Sequence, residues 1–280
     1  MNASGCLRQL TSLTGRELKH WYRSRMQIIV TIVQPLVWLG LFGLSAEVFV
    51  NMIESKGGMS LATTDYFSFL SVGIILSTAL TTSLTSGMSV VWDRRFGFLD
   101  KLRASPMPRG MIPLSKVLAS TIKATVQAMA VFAVAVVLGL DMHNLSVQSV
   151  SVLLAAVVLI GLTFSSIFVA LGTVIKSFDT YMTLNSLVSM PLMFVSGVMF
   201  PTYRFPTWLK AAADLNPLTY ATDAARAACL DSEWLTPSGG YSLISVPGLG
   251  MADDLIVLAV CAAVVMILCL LFSGRALRTH

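Results

Sequence analysis

Charged residues are scarce in this chain. Only 12% of its 280 residues are Asp, Glu, Lys or Arg, whereas 55% are hydrophobic and the mean hydropathy is +0.78. A soluble domain carries about 25% charged residues, so this chain has too little polar sequence to cover the surface of a soluble protein. The shortage of charge therefore predicts a membrane protein.

Motifs for catalysis and for cofactor binding are also missing. The sequence contains no GxxxxGK(S/T) phosphate-binding loop, which argues against ATP binding by that route. Its three histidines lie outside the apolar stretches, and its four cysteines show neither a disulfide framework nor zinc-ligand spacing. We therefore expect no enzymatic activity, no metal site and no bound cofactor in this chain itself.

Six apolar stretches dominate the chain, and each is about as long as a bilayer is thick. At about 1.5 Å per helical residue, roughly 20 residues cross the hydrocarbon core. No Asp, Glu or His lies at mid-membrane depth, which argues against a carrier energised by ions and favours a partner protein as the energy source. The sequence predicts an all-α membrane protein with six transmembrane helices, near residues 28–48, 66–90, 117–140, 150–175, 181–200 and 255–273.

The basic residues are distributed unequally between the two sides of these spans. Fifteen of the 19 Lys and Arg residues fall on the side that holds both termini, and such an excess identifies the cytoplasmic side. We therefore expect a six-span domain over 28–280, with a cytoplasmic loop at 91–116 and an outer loop at 201–254.

Residues 1–27 are predicted to form a cytoplasmic amphipathic helix that lies on the membrane surface. Leu7, Leu10, Leu18 and Trp21 recur at helical spacing, and basic residues occupy the opposite stripe. A merely basic juxtamembrane tail is the alternative interpretation. Because the segment lacks the apolar run of a signal peptide, we expect the first apolar stretch to be a retained anchor.

Polar residues in the second and fifth apolar stretches are candidates for a substrate pathway. Hydroxyl side chains crowd one helical face of the second stretch, and the fifth stretch combines an amide, a hydroxyl and a Met near Pro191. Such groups either line a polar route or bond neighbouring helices to each other. The candidate pathway residues are Thr78, Thr82, Thr85, Asn185, Ser189 and Met193.

Two further patterns concern helix packing. Gly161, Ser165 and Gly172 lie on one face of the fourth stretch and would let a neighbouring helix approach closely, although Phe168 interrupts that face. In the outer loop, Asn216-Pro217 is a helix start signal, and the predicted helix at 218–230 is too short to span a bilayer. We therefore expect short re-entrant or interfacial helices in this loop.

The cytoplasmic loop contains a segment at 92–103 that is rich in basic residues and is predicted to be one short helix. Trp92, Phe96 and Leu99 share one face of that helix, and basic residues flank it. A cationic helix with an aromatic face is suited to docking into a groove on another protein. Contact with anionic lipid is the alternative.

This loop, VWDRRFGFLDKLRASPMPRGMIPLSKVLAS, resembles the first cytoplasmic loop of ABC-2 type transporter permeases. The shared pattern is an acidic residue with Arg, then Gly, spaced leucines, Ser-Pro and a basic residue before the third span; Asp93 stands where Glu is usual. A second stretch, MPLMFVSGVMFP followed by FPTWLKAAADLNPLTYATDAAR, is similar to the family's fifth span and outer helix. By this resemblance, the residues that couple to an ATPase would be Asp93, Arg94, Arg95, Phe96, Gly97, Leu99, Arg103 and Pro106.

The resemblance also implies a function. The chain would be the permease subunit of an ATP-binding-cassette exporter in the cell membrane, most similar to drug-resistance and antibiotic-export permeases. Two copies of a separate ABC ATPase would bind ATP and Mg, and a second permease, identical or paralogous, would complete a dimer. The cargo would be amphipathic or hydrophobic: a drug, an antibiotic, a lipid or a polymer precursor. A membrane assembly or structural factor that transports nothing is the alternative.

Overall fold

The regular structure of the chain is helical throughout the residues that the computed structural model describes, which are 3–54, 63–104, 107–140, 146–199, 205–230 and 250–276. The predicted all-α class is therefore confirmed. The helices within these ranges are α1 Ala3–Arg23, α2 Arg25–Glu54, α3 Thr63–Leu84, α4 Met88–Arg95, α5 Phe98–Ala104, α6 Met111–Val137, α7 Val147–Val174, α8 Phe178–Val195, α9 Thr207–Asp214, α10 Pro217–Cys229 and α11 Met251–Ala276.

Four helical segments are long and apolar enough to cross a membrane. They are α6, α7, α11 and the segment Phe67–Arg95, which joins most of α3 to α4. The pair formed by α1 and α2 is a fifth candidate, bent by 76°. Helix α8 coincides with the predicted fifth apolar stretch but is only 18 residues long and is not among these segments. Four or five spans are thus supported by the helices, and six remain a prediction.

The packed core of the bundle is centred on α3 and α7. Helix α3 contacts α2, α6, α7 and α10, and every residue from 68 to 80 is buried. Helix α7 in turn contacts α6, α10 and α11. By contrast, α11 exposes large apolar side chains such as Ile256, Val260 and Ile267. An apolar outer surface of this extent is typical of a helix that faces lipid or another subunit.

Glycines allow α7 to approach the junction of α3 and α4 closely. A Cβ atom on Gly172 would lie 2.4 Å from the Gly87 carbonyl oxygen, and one on Gly87 would lie 1.9 Å from the Phe168 carbonyl oxygen. Earlier in α7, a Cβ atom on Gly161 would lie 3.0 Å from Cγ2 of Thr121 on α6. The small-residue packing face of the fourth stretch is therefore confirmed, and Phe168 contributes to it through its backbone rather than interrupting it.

Candidate functional site

The loop between α3 and α6 forms two short helices rather than one. Helix α4 ends at Arg95 and α5 begins at Phe98, and Gly97 between them has φ of 68°. Glycine adopts this left-handed conformation without the steric cost that a Cβ atom imposes. The prediction of one continuous helix over 92–103 is therefore wrong, because Gly97 turns the chain in its middle.

The side of α4 that faces away from the bundle carries an exposed aromatic and basic surface. The ring of Trp92 stacks on that of Phe96 with centroids 5.4 Å apart. The Trp92 ring is also nearly perpendicular to the ring of Phe178, with centroids 5.5 Å apart. Phe96 is 71% exposed, and Arg95 is exposed beside it. We call Trp92, Arg95 and Phe96 the aromatic patch. It is a part of the loop that a partner protein could reach.

Asp93 faces the opposite way, into a buried group of charged side chains. Its Oδ2 accepts a hydrogen bond from Lys116 Nζ at 2.5 Å, and its Oδ1 accepts one from Arg16 Nη2 at 3.1 Å. Lys116 Nζ also donates to Glu17 Oε1 at 3.1 Å and to Ser89 Oγ at 3.2 Å. We call Arg16, Glu17, Asp93 and Lys116 the charge cluster. Its two carboxylates and two cations balance, which offsets the cost of burying them.

Arg94 binds a third helix. Its guanidinium donates to the carbonyl oxygen of Ile175 at 3.1 Å and to that of Thr173, both at the C-terminal end of α7. A cation is favourable there because the helix dipole places partial negative charge at that end. Asp93 and Arg94 therefore fix α4 on two sides and leave the aromatic patch on its free side.

The remaining predicted coupling residues have different positions. Leu99 is fully buried and packs with Ile112 at the start of α6. Gly97 makes the turn between α4 and α5. Arg103 belongs to α5, but its side chain, like Pro106, lies outside the described residues.

Helix α1 forms as predicted and packs against α6. Thr14 is buried with its hydroxyl 3.5 Å from the carbonyl oxygen of Ser115, and the guanidinium of Arg16 lies 3.6 Å from the ring centroid of Phe98. Leu7, which the sequence places on the apolar stripe, is 65% exposed. Part of the stripe thus contacts the protein rather than lipid. That α1 lies on a membrane surface remains a prediction.

The predicted pathway residues of α3 lie mostly within the packed core. Thr78 and Thr82 are buried, and their hydroxyls donate to carbonyl oxygens one turn earlier in α3, at 2.8 and 2.9 Å. The Thr82 hydroxyl also lies 2.5 Å from Oε1 of Gln127 on α6. Thr85, in the turn after α3, is exposed and donates to the Thr82 carbonyl oxygen. These contacts favour bonding between helices at Thr82, and Gln127 was missed because an isolated amide gives no signal.

The three candidates on α8 are only partly buried. Ser189 donates to the Ser186 carbonyl oxygen at 3.2 Å, and Met193 packs against the main core. The Oδ1 atom of Asn185 is buried and accepts no hydrogen bond from the part of the chain that the structure describes. The neighbouring surface of α8 exposes Leu187, which is 70% exposed. The structure thus places these residues partly at the surface of the single chain and not inside its core.

A buried arginine holds the opposite end of the bundle together. Arg226 on α10 is 1% exposed, and it donates to the carbonyl oxygens of Gly197 and Val198, both at 2.8 Å, and of Phe69 at 3.3 Å. Its guanidinium also lies 3.5 Å from the centroid of the Phe69 ring. One side chain therefore connects α10, the start of α3 and the turn after α8.

Helix α10 begins where the sequence predicts. The Asn216 side chain caps it by accepting from the Leu218 backbone N–H at 3.1 Å, and its Nδ2 donates to the Leu192 carbonyl oxygen of α8 at 2.9 Å. The helix lies among α3, α7 and α11. A short helix inside the bundle fits the expectation of a re-entrant element, whose relation to the membrane remains a prediction.

The apolar helices, the exposed faces of α11 and the buried polar contacts at both ends define a multi-pass membrane protein. Comparison with known proteins gives the family: the ABC-2 type transporter model matches residues 8–230. The chain is 31% identical over 234 residues to the "Putative transport permease ycf38" of Porphyra purpurea, covering 81% of this chain and 76% of that protein. The chain belongs to the ABC-2 type transporter family, as the loop motif predicted.

Two other relatives have more specific names. Nodulation protein J of Rhizobium leguminosarum bv. trifolii is 28% identical over 199 residues, covering 70% of this chain and 71% of that protein. The "Daunorubicin resistance ABC transporter permease protein DrrB1" of Streptomyces coeruleorubidus is 24% identical over 216 residues, with coverage of 75% and 73%. Membership makes this chain a transmembrane subunit of an ABC transporter, in a family whose members work with an ABC ATPase.

Proposed function

We propose that the chain is the permease of an exporter and that its ABC ATPase docks on the aromatic patch. The observation that carries the proposal is the opposite orientation of neighbouring residues in α4. Trp92, Arg95 and Phe96 are exposed, whereas Asp93 and Arg94 bind the chain's own helices. An exposed patch on a firmly held helix suits the transfer of movement, because force on the patch reaches the bundle directly.

The predicted coupling residues then divide into two roles. Arg95 and Phe96, with Trp92, contact the ATPase, and a groove on that protein would take the rings while its acidic groups meet the cation. We call α4, α5 and the turn between them the docking segment. The residues that hold this segment in place are Asp93, Arg94, Gly97 and Leu99. Arg103 and Pro106 stay in the proposal on the family resemblance alone.

The assembly that we propose contains two permeases and two ATPases in the cell membrane. The ATPases bind ATP and Mg, and the second permease, identical or paralogous, covers part of the exposed apolar surface. Closed two-fold symmetry is the common solution for identical subunits. Within this assembly, Thr85, Asn185, Ser189 and Met193 have surface that can meet cargo, whereas Thr78 and Thr82 mainly join α3 to its neighbours.

The proposed cargo is an amphipathic or hydrophobic molecule that moves outward. The support is the mixture of hydroxyl, amide and thioether groups on an otherwise apolar surface, since Met side chains adapt to varied apolar ligands. Drug, antibiotic, lipid and polymer precursor remain open, because the relatives include a drug-resistance permease and permeases with other names.

Charge reversal in the aromatic patch tests the docking surface. We expect Phe96→Asp and Arg95→Glu to reduce capture of a co-expressed ABC ATPase by about tenfold or more, since one anchor residue contributes on the order of 2 kcal/mol. Capture on the tagged permease and permease-stimulated ATP hydrolysis in nanodiscs are measured together. Trp208→Asp is the matched control, because Trp208 is 72% exposed but lies on α9.

Unchanged capture and hydrolysis in both patch variants would mean that the loop only contacts lipid. An unmodified chain that captures no ATPase and stimulates no hydrolysis would instead favour the assembly-factor alternative.

Cysteine labelling in intact cells tests the proposed orientation. With the four native cysteines replaced, an impermeant maleimide should label Trp208→Cys at once and Lys101→Cys only after lysis. The reason is the excess of Lys and Arg on the side that carries 91–116. Both positions are exposed in the structure, so access depends on the side of the membrane. Labelling of Lys101→Cys alone before lysis would reverse the orientation.

A further inference from the structure

The charge cluster connects the docking segment to two other helices. Asp93 belongs to α4, Arg16 and Glu17 to α1, and Lys116 to the first turns of α6. Lys116 lies at the centre: its side chain is 3% exposed, and its Nζ contacts Glu17, Asp93 and Ser89. The Asp93–Lys116 pair is therefore buried, and the cluster forms a joint between three helices, with the 44% exposed Arg16 at its edge.

Arg16 connects the charge cluster to both helices of the docking segment, α4 and α5. Its guanidinium binds Asp93 of α4 and lies over the ring of Phe98 of α5. Thr14, half a turn earlier on the same helix, approaches the backbone of Ser115 on α6. A helix held at the bilayer surface by lipid alone would not require these contacts.

We propose that the charge cluster transmits movement of the docking segment to α1 and α6, with Lys116 as the positioning residue. The inference rests on the proposed function, because the ATPase supplies the movement. Buried ion pairs add little net stability compared with apolar packing, but they fix the relative position of the groups that they join. Here they join the helix that carries the aromatic patch to a helix long enough to span the membrane. Movement at α4 then reaches α6 and α1 together.

Removal of the central charges tests this joint. The double variant Asp93→Asn/Lys116→Gln keeps side-chain size and avoids leaving one charge of the pair buried alone. In the complex with the ATPase in nanodiscs, we expect permease-stimulated ATP hydrolysis to fall about fivefold or more, a typical size for coupling between sites. The amount of bound ATPase should be unchanged, because the aromatic patch is intact. Lys19→Gln is the matched control: Lys19 is exposed on α1 and forms no ion pair within the described residues.

A conservative variant separates transmission from stability. Asp93→Glu keeps the carboxylate that Lys116 and Arg16 bind, so it should keep most of the stimulated hydrolysis. The melting temperature of each variant is measured alongside, and a loss of stimulation at an unchanged melting temperature supports transmission. If the double variant fails to insert, Arg16→Gln takes its place, because the Arg16 side chain is 44% exposed and its replacement removes the links from α1 to α4 and α5 while Lys116 keeps its partners.

The outcomes distinguish the inference from the proposed function. Normal stimulation without the cluster, or a loss of stimulation that only accompanies a lower melting temperature, would overturn the inference and leave ATPase docking intact. An unmodified permease that neither binds nor stimulates the ATPase would contradict the proposed function, and the inference with it.

Discussion

Replacing Arg226 with Ala is expected to destabilise the protein by about 3 kcal/mol or more, because the carbonyl oxygens of Gly197, Val198 and Phe69 lose their donor in a buried site. A cavity is left as well, since Arg226 is among the largest fully buried side chains. The variant should show a lower melting temperature in detergent and less protein inserted in the membrane. Both follow from separation of α10 from α3 and the turn after α8.

Two control variants define the role of this arginine. Arg226→Lys should recover part of the stability, since one ammonium group cannot reproduce the planar fork that reaches three acceptors and a ring. Lys210→Ala, which removes a cation of the adjacent helix α9, should change stability by about 0.5 kcal/mol or less, as substitutions away from buried contacts usually do. Equal melting temperatures for Arg226→Ala and Lys210→Ala would contradict the structural role of Arg226.

The helices and their close contacts were largely predictable from the sequence. The Asn216-Pro217 start signal locates α10 to within one residue, because the cap and the Pro at the first position act locally. The glycine face of α7 could likewise be read from spacing alone. The partner of that face could not, since Gly87 lies in the turn between α3 and α4 and its contact with Gly172 depends on how α3 ends.

The charge cluster shows why the site was harder to predict. Asp93 and Lys116 are 23 residues apart and Arg16 is 77 residues from Asp93, so no local rule pairs them. The family motif contains Asp93 but does not say which side of α4 it occupies. The structure shows that side: Asp93 bonds Arg16 of α1 and Lys116 of α6.

The pathway prediction shows a different limit. A hydroxyl face in an apolar helix is the same pattern whether it meets cargo or a neighbouring helix. The side chains can also satisfy themselves within their own helix, as Thr78 does. Only the position of Gln127 opposite Thr82 indicates which use applies there. For Asn185 and Ser189, the answer depends on what covers α8 in the assembled transporter.

Replacing Gly87 or Gly172 with Ala is expected to separate α7 from the junction of α3 and α4. The added methyl group would lie 1.9 Å or 2.4 Å from a backbone carbonyl oxygen, which cannot move aside as a flexible side chain can. Overpacking of this kind costs about 1–3 kcal/mol, and more where backbone must shift. Gly87 also donates to the Tyr181 hydroxyl at 3.1 Å, and that hydroxyl donates to the Leu84 carbonyl oxygen at 2.6 Å. Loss of these bonds would weaken the attachment of α8 to the α3–α4 junction.

The effect should therefore include function as well as stability. Melting temperature and permease-stimulated ATP hydrolysis should both fall in Gly87→Ala, since the aromatic patch shifts with α4. Gly40→Ala is the matched control, because a Cβ atom there meets nothing within 4 Å. That variant should be neutral or more stable by about 0.5–1 kcal/mol, the usual gain from Ala in a helix. If Gly87→Ala and Gly172→Ala behaved like Gly40→Ala, α7 would not need to approach the α3–α4 junction this closely, and the fixed position of α4 would require another explanation.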